Sequence, residues 1–107
     1  MYKGVTPTFT FIAPAGLDMS IATKVWVTFS TPDEREIFTK TGDGLTVTQN
    51  TVEVFLTQAE TLRLITGENK VQLNWIYEEG SKTKRGASNI FTIIAETNLK
   101  NEVLNAE

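Results

Sequence analysis

The chain contains no cysteine and no histidine. The first absence removes disulfides, thiolate metal sites and cysteine nucleophiles together. The second removes the commonest general base, the commonest transition-metal ligand and the serine-hydrolase triad in its usual form. Proline is scarce, and Pro14 and Pro32 both fall at expected turns. No apolar run approaches the length of a membrane span. Met1 to Pro7 lacks the apolar core of a signal peptide, so a cytosolic product, or one released by lysis, is expected. A mature secreted domain without its leader would look the same. There is no basic excess either: a net charge of −3 argues against a dedicated nucleic-acid binder.

What is present is one domain's worth of chain, 107 residues with enough apolar content to bury a core. Its organising stretch is Asn69 to Tyr77, where Val71, Leu73, Trp75 and Tyr77 recur every second residue. A pleated strand sends alternate side chains to opposite faces, so this pattern predicts a long half-buried strand. Trp75 is expected to anchor the core, because its large aromatic area needs a facing surface.

The rest of the chain supplies short alternating segments punctuated by turns. Thr8 to Ile12 places Phe9 and Phe11 on one face, and Pro14 and Gly16 end it. Leu17 to Thr23 connects, with a single helical turn after Asp18. Lys24 to Ser30 points Val25, Val27 and Phe29 inward and Trp26 and Thr28 outward. From Arg35 to Lys40 the charges decide the phase: an inward Phe38 would bury Glu36 and Lys40, so Ile37 is expected inside. Asp43-Gly44 then predicts a hairpin into Leu45 to Thr48. After a tight turn at Gln49-Asn50, the segment from Thr51 to Leu56 turns Val52, Val54 and Leu56 inward.

Thr57 followed three residues later by Glu60 is a capping box, in which each side chain satisfies an orphan backbone N–H. It predicts a short helix that crosses between sheets and ends by Gly67. Glu78 to Gly86 reads as a charged hairpin loop. Ala87 to Thr97 is the last strand, with Phe91, Ile93 and Ala95 inward. In the tail from residue 98 to 107, Leu99 and Val103 have helical spacing, and so short a segment either docks or frays. These segments predict an all-β, seven-stranded immunoglobulin-like sandwich with a helical crossover between the fifth and sixth strands. On that topology the first, second, fourth and fifth strands share one sheet, and the third, sixth and seventh share the other.

Candidate sites are few. Asp33, Glu34 and Glu36 match no calcium-loop spacing and have Arg35 among them, so they read as solvated turn charges. Gly42-Asp43-Gly44 precedes a strand, where phosphate loops precede a helix, and reads as a turn. Lys82, Lys84 and Arg85 either bind phosphate or an acidic partner or are ordinary surface. No serine or threonine has a base beside it, so an enzyme is not expected, nor a metal or cofactor. A second apolar set lies out of phase with the core: Trp26, Phe38, Phe55, Ile76, Ile90 and Ile94. Phe38, Ile76 and Ile94 would form a strip on one sheet, either a protein interface or a surface covered by the C-terminal tail or the loops.

Leu56-Thr57-Gln58-Ala59-Glu60-Thr61, Val71-Gln72-Leu73-Asn74-Trp75 and Ser88-Asn89-Ile90 resemble small structural proteins of phages and prophages of Firmicutes. The chain is also similar to the immunoglobulin-like N-terminal domain of phage baseplate upper proteins. The resemblance runs from Phe9 to Val103. It implies a non-enzymatic virion, baseplate or neck component, located in the virion or in the host cytoplasm during assembly. Its expected partners are other phage structural proteins or further copies of itself. Baseplate upper proteins continue into a long second region, and its absence here implies a stand-alone component. A different class remains open: a cell-surface module that recognises glycan or peptide, with Trp26 beside Thr28 as its aromatic platform.

Overall fold

The alternation beginning at Val71 belongs to a longer strand than its apolar residues alone mark. In the computed structural model, which describes residues 1–106, β6 spans Gly67–Glu79. On one side it pairs antiparallel with β2 (Lys24–Ser30) along seven residues, from Lys24 opposite Ile76 to Ser30 opposite Lys70. Opposite residues share a face, so Val25, Val27 and Phe29 lie beside Trp75, Leu73 and Val71 in one apolar surface. On its other side β6 carries two strands end to end. β7 (Lys82–Ala87) pairs with the far half and β8 (Phe91–Ala95) with the near half. β3 (Glu36–Thr41) completes this five-stranded sheet by pairing with β2.

The second sheet has three strands: β1 (Thr8–Ile12), then β5 (Thr51–Phe55), then β4 (Leu45–Val47). Its Val52 and Val54, with Leu56 just beyond, meet Val27, Phe29 and Val71 in the buried core. The chain is thus all-β, two open antiparallel sheets packed as a sandwich. The crossover from β5 to β6 is α1 (Gln58–Arg63), and both bonds of its capping box form. The Glu60 N–H donates to Thr57 Oγ1 at 3.2 Å, and the Thr57 N–H donates to Glu60 Oε1 at 2.9 Å. The turn after Asp18 is present as a single 3-10 turn, Met19–Ile21, capped by the Asp18 carboxylate.

Several expectations are corrected. β2 sits with β3 and β6, not with β1 and β5, because alternation assigns faces to a strand and says nothing of its neighbours. The Asp43-Gly44 signal is no hairpin: a 3-10 turn at Gly42–Gly44 carries the chain from one sheet to the other. The charged hairpin after Tyr77 is present, but its loop is shorter than expected: it turns at Gly80-Ser81, where Gly80 has φ +64°, and the rest of the stretch is paired strand. Its strands are held by Lys84 on Glu79 (3.0 Å) and Thr83 on Glu78 (2.8 Å). The expected loop therefore supplies an extra strand, β7, and the last strand starts only at Phe91 after a break, giving eight strands among the described residues. At the break the Ser88 hydroxyl accepts from the Leu73 N–H at 2.9 Å, standing in for a ladder carbonyl.

The phase of β3 is also reversed, and the reason is a bulge. Phe38 faces Phe29 and Glu36 faces Ser30, so Ile37 has no partner of its own. The extra residue puts Glu36 on the outer face while Phe38 turns into the core, 7% exposed. Lys40 does face inward, but its ammonium meets Glu60 Oε1 at 2.7 Å. The burial that argued against this phase is compensated by a partner 20 residues away. Trp75 is half-buried at the margin, and the largest fully buried side chain is Phe29. Over its described residues, up to 106, the tail is irregular, not helical, tied to α1 by the Leu104 N–H donating to Gln58 Oε1 at 2.7 Å.

Candidate interaction surfaces

Of the three residues expected to form an outer strip, only two face outward. Phe38 stacks on Phe29 with centroids 4.8 Å apart, and the Arg63 guanidinium covers it at 5.3 Å. Ile76 lies on the outer face of the five-stranded sheet, half-buried, between Lys24 on β2 and Arg85 on β7. Ile94 is 48% exposed and pairs with Glu68 near the other end of β6. Eight residues of strand separate Glu68 from Ile76, roughly 26 Å at the usual rise. The strip does not exist as one surface. The tail's hydrogen bonds run to Lys3 and Gln58. Phe55 is exposed on the other sheet, and Ile90 lies in the break between β7 and β8.

What the fold brings together instead is Trp26, Ile76 and Arg85. They line a groove of about 300 Å³ with Thr39, Asn74 and Glu36. The register explains the grouping: Trp26 is opposite Asn74 on one side and Thr41 on the other, and Ile76 is opposite both Lys24 and Arg85. The Arg85 guanidinium donates twice to Asn74 Oδ1, at 3.0 and 3.3 Å, which lays its stem along the groove. The Lys24 ammonium stands 5.1 Å from the Trp26 ring centroid, within cation–π range. Lys82 and Lys84 lie further out on the same hairpin, Lys84 already paired with Glu79.

A second concavity, about 460 Å³, opens between the two sheets where β1 ends. Phe11, Leu17 and Met19 line it from one side, Leu73, Trp75 and Phe91 from the other. Phe11 and Phe91 touch across its mouth, with centroids 5.3 Å apart. Sequence reasoning missed this cleft because it exists only where three strands face five and the inner surfaces do not match in extent. The Trp75 indole lies so close over Gly86 that a Cβ there would meet the ring at 2.4 Å. The glycine is what lets the tryptophan lie flat on β7.

The acidic group around β3 does not converge. Asp33 meets Arg35 Nε at 3.0 Å, Glu34 faces Lys70 at 3.7 Å, and Glu36 lies in the outer groove. Thr31 also donates a hydrogen bond to Asp33, which together with Arg35 holds that exposed carboxyl below the usual aspartate value. Among the described residues no group of three or more acidic side chains is placed to hold a metal ion. Glu60 has the other perturbed carboxyl. Burial pushes it up, but the Lys40 ammonium and the Thr57 N–H and hydroxyl outweigh that, leaving it below its ordinary value. Both its partners are structural. No protein-family model, curated protein or solved structure matches the chain.

Proposed function

We propose that this chain is a non-enzymatic structural or assembly component of a phage or prophage particle, working through protein–protein contacts. The sequence resemblance supplies the setting, and an immunoglobulin-like reading of the sandwich belongs to the same proposal, with the second strand moved into the sheet of the third and sixth. One observation carries the reading: the outer groove, where Trp26 and Ile76 sit on neighbouring strands inside a rim of Lys24, Arg85 and Glu36. An aromatic and an aliphatic anchor within a charged border is the anatomy of a protein contact, and tryptophan and arginine are enriched where such contacts are strongest. Both anchors are carried on paired central strands, so little ordering is needed on binding.

The alternative, a glycan-binding surface module, draws on the same Trp26 with Thr28 and Asn74 nearby. Lys24 favours the protein reading, because its ammonium already occupies a face of the indole on which a sugar ring would stack. Particles purified from an induced lysogen and probed with antibody to this chain test the proposal. We expect the chain at constant stoichiometry, and Ile76→Lys chains, still folded, to be excluded. A chain that stays in the soluble fraction, and whose purified form binds cell-wall glycan through Trp26, would overturn it.

A further inference from the structure

A sheet edge presents unpaired N–H and C=O groups to any strand that can reach it, and folded proteins protect such edges. Four of the five edge strands here carry a recognisable protection. β3 has its bulge and the charges Glu36 and Lys40. β4 is three residues long. β7 bears Lys82, Lys84 and Arg85. β8 is capped at its end by the N-terminal residues: the Lys3 N–H donates to the Glu96 carbonyl at 2.9 Å, and the Glu96 N–H to that of Met1 at 2.7 Å. β1 has none of these. Its sequence, Thr8-Phe9-Thr10-Phe11-Ile12, is uncharged, and Ile12 is 79% exposed.

The register shows which backbone groups are free. Leu56 N–H donates to the Pro7 carbonyl at 3.0 Å and Ala13 N–H to that of Asn50 at 2.7 Å, at the two ends of the β1–β5 ladder. Bonded pairs alternate along an antiparallel ladder, so Phe9 and Phe11 bond to β5 while Thr8, Thr10 and Ile12 direct their N–H and C=O away from it. No described residue hydrogen-bonds those groups. We propose that β1 pairs antiparallel with β1 of a second copy of this chain, on a two-fold axis at Thr10. This goes beyond the particle assignment and does not depend on it.

That register follows from the free groups. With Thr10 opposite Thr10 of the second copy, Thr8 falls opposite Ile12, and each of these pairs exchanges two hydrogen bonds. The two three-stranded sheets become one of six. On the inner face, Phe9 of the second copy falls opposite Phe11, at the mouth of the apolar cleft that Phe11 and Phe91 line. On the outer face, only threonine and isoleucine meet. The same operation on β7 would set Lys84 or Arg85 against its own copy, and like charges directly opposite are destabilising. Pro7 and Pro14 flank β1 and limit the pairing to this segment.

Sedimentation equilibrium across a concentration series tests the pairing. Wild type should move from 11.9 kDa towards twice that mass. Thr10→Lys and Thr10→Glu place like charges on the axis at an exposed position, and each alone should remain monomeric with its circular dichroism unchanged. Mixed in equal amounts, the two should recover the doubled mass. Thr46→Lys, at an exposed position on β4 of the same sheet, should leave the dimer intact. A wild type that is monomeric throughout overturns the proposal. So does a dimer that survives both Thr10 variants, one abolished equally by Thr46→Lys, or a mixture that stays monomeric.

Discussion

The pair of Lys40 and Glu60 joins three features that look separate along the chain: the inward phase of β3, the bulge at Ile37 and the capping box of α1. Glu60 Oε1 accepts from the Lys40 ammonium at 2.7 Å and from the Thr57 N–H at 2.9 Å. The side chains are 14% and 22% exposed, so the pair lies between the surface and the interior. Breaking a buried pair by removing one partner costs about 3–5 kcal/mol, and exposed pairs contribute about 0–1. Glu60→Ala strands the ammonium and removes the reciprocal half of the cap, so about 2–3 kcal/mol is expected. Lys40→Met should cost less, about 1 kcal/mol, because Glu60 keeps its backbone donor and the lysine stem is replaced by apolar atoms of similar length. The double variant should be less destabilised than the sum, with a coupling of about 1–2 kcal/mol. Urea denaturation of the four proteins measures the cycle. Acid adds a second readout. The Glu60 carboxyl is held below its ordinary value of 4.5, so its contribution is complete above that pH and lost as pH falls through the lower folded value. Lys40→Met should lose less stability than wild type over that descent. Costs additive to within about 0.3–0.5 kcal/mol, with parallel acid profiles, would refute the coupling and the account of the β3 phase built on it.

Phe38→Ala should cost about 3–5 kcal/mol in the monomer, as a core aromatic does, whereas Ile76→Ala should cost clearly less. Equal costs in urea would mean that β3 has the phase without the bulge. Gly86→Ala drives a methyl group into the Trp75 ring and should destabilise by about 1–3 kcal/mol. In a Trp26→Phe background, where Trp75 is the remaining tryptophan, its emission should shift as the indole is displaced; an unchanged spectrum would contradict the close approach.

Local chemistry was readable from the residues because it is complete within a few of them. The capping box needs only Thr57 and Glu60, three apart, and the hydroxyl and carboxylate reach the backbone whatever surrounds them. The inward phases of β2, β5 and β8 followed from alternation, since period two is a property of the strand itself. Which strands became neighbours was decided elsewhere. A face of Val25, Val27 and Phe29 could complete either sheet, and only the length matched along β6 placed β2 beside it. The phase of β3 turned on a charge partner on α1 and on a bulge, neither visible in Glu36 to Thr41 taken alone. The outer groove and the cleft arise from side chains far apart in the chain, gathered by strand register and by the unequal extent of the two sheets. Short-range hydrogen bonding and periodicity are encoded segment by segment; neighbours, compensated charges and concave surfaces depend on long-range pairing, which no single segment contains.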